Sequence, residues 1–296
     1  MRALADFIMR GRMQATLTVV IAAVVPFLYW LSAAAGSLVV LRRGASDAAG
    51  VVVWALLPAA FWWYLGDPSI ALVFVGTLAL ALVLRSSVSW PRVLLASILV
   101  GLAFAVTIGH VYAEPINLLA EEIQKLLPQM AGQSPDALPE AKQAQLHDML
   151  VPVLTGLMAS LFQIVCLLCL MLGRYWQAAL YNPGGFAREF HALRLSPALA
   201  LGMLLVMLLA PNINLGLGML TPLCSVPLAI AGVALIHGLV RQKHMATFWL
   251  VGLYVTLLIF GQLIYPLLVI VAVVDSLFDF RGRLGNTPKD STNGEG

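Results

Sequence analysis

Charged residues are scarce in this sequence. Aspartate, glutamate, lysine and arginine make up 10% of its 296 residues, whereas hydrophobic residues make up 61%. Because a soluble domain has about 25% charged residues, this composition excludes an ordinary water-soluble fold. The net charge of +3 is also too small to indicate nucleic acid as a partner. The lipid bilayer is therefore the predicted environment of most of the chain.

Cysteines and catalytic motifs are equally scarce. Cys166, Cys169 and Cys224 lie inside apolar segments, and no histidine or carboxylate accompanies the Cys166–Cys169 pair, so we predict neither disulfides nor a metal site. The sequence contains no HExxH, GxSxG, Walker A or dinucleotide-binding motif, and no pair of carboxylates lies within an apolar run. These absences favour a protein that is not an enzyme and that uses no cofactor.

Uncharged runs long enough to cross a bilayer recur along the chain. Since about 20 apolar residues span the hydrocarbon core, they predict an all-α polytopic transmembrane helix bundle, a single domain over residues 1–284. The runs cover residues 13–41, 48–66, 69–84, 93–109, 149–173, 195–239 and 245–274. Turn formers divide them further and place spans between the terminal runs at residues 48–64, 69–84, 91–111, 151–173, 196–210 and 220–239.

The positions of the basic residues predict the topology. If residues 13–41 and 245–274 each formed one ordinary span, the basic residues would be divided almost equally between the two sides. If each run enters and leaves on the same side, every basic residue except Lys125 and Lys142 is cytoplasmic, as the positive-inside rule requires. We therefore predict a bacterial inner-membrane protein with both termini in the cytoplasm.

This topology requires a break in each terminal run. Each arm of residues 13–41 would have a length of about 20 Å, against a hydrocarbon core of about 30 Å. Such arms predict a re-entrant element broken near Pro26, and Gly261 and Pro266 are the corresponding positions near the C-terminus. Counting the arms gives about eight to ten membrane segments, with re-entrant or broken helices at both ends. A long, tilted, proline-kinked helix at each end is the alternative.

Residues 113–148 form the predicted external loop, which is acidic. Its apolar residues recur at helical spacing between polar ones, at Ile116, Leu119, Ile123, Leu126, Leu127 and Met130. This pattern predicts an amphipathic helix on the outer face of the membrane. A linker at residues 131–137 and a second polar helix at residues 139–148 are expected to follow it.

Residues 174–196, RYWQAALYNPGGFAREFHALRLS, form the predicted cytoplasmic loop. They contain a strong turn signal, because proline fixes one torsion and glycine accepts positive φ, at Asn182, Pro183, Gly184 and Gly185. The amphipathic stretch after the turn presents polar side chains at the membrane surface, namely Arg188, Glu189, His191 and Arg194. These are candidates for binding lipid phosphates or a protein partner, although topology alone also explains the arginines.

Two stretches of the sequence resemble a known family. They are RYWQAALYNPGGFAREFHALRL in the cytoplasmic loop and VVDSLFDFRGRL at residues 273–284. Both are similar to the YybS-like predicted membrane proteins of proteobacteria, a family defined by a domain of unknown function, and the similarity extends over nearly all of the chain to Leu284. The resemblance implies a loose kinship with the substrate-binding subunits of energy-coupling-factor vitamin transporters and with the rod-shape protein MreD. It assigns no catalytic or ligand residue, and the acidic external loop departs from a minimal binding subunit.

These features lead to two functional hypotheses. Broken helices at membrane depth favour a transporter-like small-molecule carrier, or the substrate-binding membrane subunit of one. Its candidate substrate-binding residues are polar side chains within apolar runs, Gln163, Gln262 and Asp275. The alternative is a non-enzymatic organiser of cell-envelope assembly that docks a cytoplasmic partner through residues 174–196. The polar tail at residues 285–296 is predicted to be disordered in both cases.

Overall fold

The computed structural model describes residues 2–130 and 139–285, and every regular element in these ranges is a helix. The linker predicted at residues 131–137 lies outside the described residues, as does the tail predicted at residues 285–296 apart from Gly285, which ends a helix. The chain divides into two compact units: Met1–Ala187 with Leu204–Pro227, and Arg188–Met203 with Leu228–Gly296. Helices that cross these boundaries contribute to both units.

Helices suit a chain in lipid, because each helix satisfies its own backbone hydrogen bonds where water is absent. In chain order they are α1 (Arg2–Arg10), α2 (Arg12–Val24), α3 (Tyr29–Arg43), α4 (Ala45–Tyr64), α5 (Ser69–Ser87), α6 (Trp90–Val111), α7 (Ala113–Met130), α8 (Glu140–Tyr181), α9 (Gly185–Ala192), α10 (Pro197–Ile213), α11 (Leu220–Gln242), α12 (Phe248–Ile259), α13 (Gly261–Phe278) and α14 (Phe280–Gly285). The predicted spans coincide with α4, α5, α6, α8, α10 and α11.

Six helices of the described chain are long and apolar enough to cross a membrane, or seven if α9 and α10, which meet at a bend of 65°, form one span. The six are α4, α5, α6, α8, α11 with the preceding turn, and α13. A helical chain with several helices of membrane-spanning length is therefore confirmed, whereas the predicted eight to ten segments are not. The count is lower because four helices have fewer than the roughly 20 residues that cross a bilayer core. They are α2, α3, α10 and α12, with 13, 15, 17 and 12 residues.

The first terminal run folds back on itself within the first unit. A break at Pro26 separates α2 from α3. The Ser32 hydroxyl, near the start of α3, donates to the Val19 carbonyl in α2 at 2.8 Å. At the other end of α3, the Arg43 guanidinium donates to the Met9 carbonyl just before α2 at 2.9 Å. The two ends of this apolar run therefore meet.

Several arginines gather at that end of the first unit. Arg85, near the end of α5, donates to the Leu41 carbonyl at 2.6 Å, and Gln177 in α8 donates to the same carbonyl at 3.2 Å. The Arg42 guanidinium lies 4.0 Å from the centre of the Tyr181 ring. Because the ends of α3, α5 and α8 meet here, this end of the unit contains Arg12, Arg42, Arg43, Arg85 and Arg174.

The predicted external loop forms α7 and the beginning of α8. Ile116 and Ala120 of α7 are buried, and Gln124 donates to the Gln143 carbonyl at 3.0 Å, which attaches α7 to α8. The polar helix predicted at residues 139–148 is not a separate element. It forms the first turns of α8, whose 42 residues extend for about 63 Å through the predicted span and beyond it. A helix that has already nucleated propagates at little cost, so the polar and apolar segments continue as one helix.

The second terminal run also returns to its starting point, within the second unit. α12 ends next to the predicted break at Gly261, and α13 begins there. The other predicted break, Pro266, lies inside α13. The Gln242 side chain, at the end of α11, donates to the Arg281 carbonyl just after α13 at 3.0 Å. The residues before α12 and after α13 are therefore neighbours.

Close packing of α11 against α13 depends on Gly232, where an added Cβ atom would collide with the Leu268 carbonyl oxygen. We expect Gly232→Ala to destabilise the protein by about 1–3 kcal/mol, the usual cost of overpacking. The measurement is thermal unfolding in detergent, followed by tryptophan fluorescence. Gly252→Ala in α12 is the control, because its Cβ would meet nothing within 4 Å and alanine favours a helix. Equal melting temperatures for the two variants would contradict the close approach.

Candidate anion-binding groove

The loop at residues 174–196 contains the turn expected from its sequence. α8 ends at Tyr181, the Gly185 amide donates to the Asn182 carbonyl at 2.8 Å, and α9 begins at Gly185. Gly184 has a φ of +78°, a conformation that a side chain would strain. The turn separates the long helix α8 from the short surface helix α9.

Arg281 binds the end of this loop in the second unit. Its guanidinium donates to the His191 carbonyl at 2.6 Å and to the Leu193 carbonyl at 2.8 Å. It also pairs with the Asp275 carboxylate at 2.9 Å, and the two side chains are only 13% and 4% exposed. A buried carboxylate without such a partner would be costly, because its charge would have lost its hydration. Asp275 is therefore held within a structural ion pair.

Arg194 makes a second set of bonds to the same region. It donates to the carbonyls of Asp275 and Ser276 at 3.2 Å and 2.9 Å, and it pairs with the Asp279 carboxylate at 3.1 Å. These carbonyls lie at the C-terminal end of α13, where a helix is short of donors and attracts positive charge. Together the bonds of Arg194 and Arg281 join residues 191–194 to residues 275–281.

A cavity of about 470 Å³ opens beside this network. Four arginines and a single aspartate are among the described residues that line it: Arg188, Arg194, Arg241, Arg281 and Asp279. The planar guanidinium group offers several donors that match the oxygens of a phosphate or carboxylate. The lining therefore favours an anionic ligand.

A second cavity of about 290 Å³ shares His191 and Arg241 with the first. His237 and His244 also line it, and the rings of His191 and His237 stack with their centres 6.3 Å apart. The His237 imidazole forms a hydrogen bond of 2.9 Å with the Tyr254 hydroxyl of α12. We call the two cavities together the arginine–histidine groove, which is lined by Arg188, Arg194, Arg241, Arg281, His191, His237 and His244.

The protonation of His191 is sensitive to its neighbours. Burial lowers the pKa of His191, and the positive charge of Arg241 lowers it further. The imidazole is therefore neutral near pH 7, and a bound anion would raise its pKa by stabilising the protonated form. Although the groove has several histidines, no group of three histidines, cysteines or carboxylates suited to a metal ion occurs in the described part of the chain.

The polar residues expected to bind a substrate lie outside this groove. Gln163 is fully buried in the first unit, where its amide donates to the Ser97 hydroxyl at 2.9 Å and the Leu223 carbonyl at 3.2 Å. Its own carbonyl oxygen has no hydrogen-bond partner among the described residues. In the second unit Gln262 is exposed, and Asp275 pairs with Arg281. None of these three side chains lines the groove.

The surface residues expected to bind a headgroup or partner are mostly in the groove. Arg188, His191 and Arg194 line it, whereas Glu189 does not. Sequence reasoning assigned no site role to the groove residues Arg241, Arg281 and His244. One signal was present, because His237 and Arg241 are four residues apart on α11 and such residues share a helix face.

An apolar cavity of about 290 Å³ lies at the N-terminal helix break in the first unit. Tyr29 and Trp30 line it from the start of α3, and Cys169 lines it from α8. The Cys169 thiol donates to the Trp30 carbonyl at 3.3 Å, and Cys166 and Cys169 are both buried and free of disulfides. An apolar lining of this kind does not suit a charged ligand.

Comparison with known proteins gives no match: no family model, no curated protein and no solved structure matches this chain. Among the described features, the geometry and charge of the groove therefore give the clearest indication of function.

Loss of Arg281 should destabilise the protein strongly. Arg281→Ala leaves the buried Asp275 carboxylate unpaired, so we expect a loss of about 3–5 kcal/mol, measured by thermal unfolding in detergent. Arg283→Ala is the matched control, because Arg283 is exposed and its guanidinium only approaches the Phe278 ring, at 5.7 Å from the ring centre. The double substitution of Asp275→Asn with Arg281→Gln leaves no buried charge at this pair and should recover part of the lost folding stability. A double variant as unstable as Arg281→Ala would contradict this account of the pair.

Proposed function

We propose that this chain is a multi-pass protein of the bacterial inner membrane that binds a small anionic ligand at its cytoplasmic surface, as a transporter-like carrier or the substrate-binding subunit of one. The main observation is the convergence of arginines on one groove. They come from the α9 region (Arg188 and Arg194), the end of α11 (Arg241) and α14 (Arg281). Topology requires only that arginines lie on one side of the membrane. Their gathering around one cavity is better explained by a ligand.

The arginines of the groove differ in how firmly neighbouring residues hold them. Arg194 and Arg281 are held in place by Asp279 and Asp275, so they form a rigid wall. Arg241 is exposed, and its guanidinium has no hydrogen bond or ion pair within the described residues. A phosphate or carboxylate group would be bound by the donors of Arg241 against that wall, and the ligand charge would be compensated.

The broken terminal runs support a carrier. α2 and α12 are too short to cross the bilayer, and each is followed by a helix that brings the chain back to its starting end. We infer that both runs are re-entrant. Interrupted helices at membrane depth are tolerated only when they are packed in protein or line an aqueous cavity, and transporters use them to build sites.

The orientation is proposed from the positive-inside rule. In the first unit, Arg12 and Arg43 lie at the two adjoining ends of the first run. In the second unit, Arg241 and Arg281 lie at the two adjoining ends of the second run. We therefore infer that these ends, and both termini, are cytoplasmic.

Membership of the YybS-like family remains part of this proposal. Its support is that the two family-like stretches of sequence bond to each other through Arg194 and Arg281.

Cysteine labelling tests the topology. In a chain without its three native cysteines, Ser46→Cys and Arg283→Cys should resist a membrane-impermeant maleimide in intact spheroplasts and react after lysis. Glu122→Cys in α7 should react in both cases, because α7 is expected outside. All three positions are exposed, so labelling reports the side of the membrane on which each one lies. Labelling of position 46 or 283 before lysis would contradict the same-side model.

Anions should stabilise the protein through Arg241. We expect inorganic phosphate to raise the melting temperature in nonionic detergent relative to chloride at equal ionic strength, by about 2.7 kcal/mol in stability at 100 times its Kd. Arg241→Gln should remove this effect. Lys243→Gln should retain it, because Lys243 is also exposed but lies outside the groove. No stabilisation by phosphate, sulfate or a panel of phosphorylated and carboxylated metabolites would count against anion binding.

A membrane organiser is the second candidate. It is favoured by the bonds that Arg281 makes to the carbonyls of His191 and Leu193. These bonds fix the neighbouring loop, while Arg188 remains exposed. A fixed basic surface suits docking of an acidic protein. A single dominant protein photocrosslinked from position 188 in cells, together with no anion stabilisation, would favour the organiser over the carrier.

A further inference from the structure

We propose that the anion in the arginine–histidine groove is the net-negative phosphate headgroup of a membrane lipid, with its acyl chain lying along α12. This inference rests on the proposed function and specifies its ligand. The same phosphate chemistry occurs in soluble metabolites, but a soluble ligand would leave the apolar part of the site unused.

The second cavity of the groove has one charged wall and one apolar wall. Arg241 and Val240 line it from the end of α11, Met245 lines it from the connection, and Leu250 lines it from α12. Arg241 also lines the first cavity, so its guanidinium lies where the two cavities meet. A ligand in contact with both walls has a charged end and an apolar part, which is the chemistry of a lipid.

Aromatic residues place this cavity at the level of lipid headgroups. Phe248 and Trp249 begin α12 beside the cavity-lining Thr247, and they are 76% and 59% exposed. Exposed tryptophan in a membrane protein is typical of the interface between headgroups and hydrocarbon. Phosphates of the surrounding lipids therefore lie at about the depth of Arg241.

α12 provides an apolar surface that leads away from the cavity. It has no buried residue. Large apolar side chains recur along it at spacings of three and four, which places them on one face, and all are exposed: Phe248, Val251, Val255 and Leu258. This stripe is about 15 Å long and begins at Phe248, next to the cavity-lining Thr247. An acyl chain bound along it would continue directly from a headgroup at Arg241.

A soluble phosphate ligand would use the arginines but neither the apolar wall nor the stripe. A lipid uses all of them, because its headgroup binds the arginines while its acyl chain makes van der Waals contacts with the apolar wall and the stripe. The combination of positive charge, interfacial aromatic residues and a continuous apolar stripe therefore favours a lipid over a free phosphate compound.

The test measures binding by native mass spectrometry to the full-length, delipidated protein in nonionic detergent. The probes are phosphatidic acid, phosphatidylcholine with the same acyl chains, and glycerol phosphate. We expect phosphatidic acid to bind at least about tenfold more tightly than either of the others. Arg241→Gln should weaken this binding about tenfold, the loss expected for charge-assisted hydrogen bonds, and Lys243→Gln should leave it unchanged.

A second variant tests the acyl-chain stripe. Val255→Asn places a polar group on the stripe, away from the arginines, and should weaken phosphatidic acid binding without changing that of glycerol phosphate. Since Val255 is exposed, the substitution leaves the packed interior intact. Unchanged lipid binding in this variant would overturn the assignment of the acyl chain to α12.

The outcomes separate this inference from the proposed function. Equal affinity for phosphatidic acid and glycerol phosphate would overturn the lipid assignment while leaving anion binding intact. Binding of neither would overturn both proposals. Phosphatidic acid binding that is matched by phosphatidylcholine, or that persists in Arg241→Gln, would place the lipid outside the groove and overturn the inference.

Discussion

The second unit is organised around a buried carboxylate that must be neutralised. Asp275 lies at the end of α13 with almost no exposure, and an isolated charge there would cost several kcal/mol of lost hydration. Arg281 supplies the opposite charge, and its remaining donors bind the carbonyls of His191 and Leu193. One ion pair therefore holds α13, α14 and the end of the 174–196 loop together. The groove lies beside it because Arg281 and Arg194 cannot turn away from these partners.

Lipid imposes the second constraint. Apolar segments must be helical, and wherever a helix is interrupted its freed backbone groups need partners within the protein. After the breaks at Pro26 and Gly261 the chain returns toward its starting end, as the bonds from Ser32 to Val19 and from Gln242 to Arg281 show. Such returns bring both ends of an apolar run to the same end of a unit. Arginines that flank the run in sequence then become neighbours in space.

Two roles of the same arginines follow from this arrangement. Flanking arginines oppose transfer across the membrane and so determine which side the ends of a run occupy. Once those ends adjoin, their positive charges repel one another unless carboxylates or a ligand compensate them. Asp275 and Asp279 compensate Arg281 and Arg194, whereas no carboxylate pairs with Arg241 within the described residues. The remaining positive charge is the basis for the proposed anionic ligand, and the open side of α12 is the basis for the proposal that this ligand is a lipid.

The sequence by itself determined the features that depend on neighbouring residues: an apolar chain in lipid, helices over the predicted spans, the breaks near Pro26 and Gly261, and the turn at residues 182–185. Helix propensity, turn chemistry and hydropathy act within a few residues, so they are readable without a fold. Only the tertiary structure decided that residues 139–148 continue into α8, that Asp275 is paired, and that Arg241 and Arg281 join Arg188 and Arg194 around one groove. Arg188 and Arg281 are far apart in the chain, and their meeting depends on how the helices pack, a long-range property that no local pattern encodes.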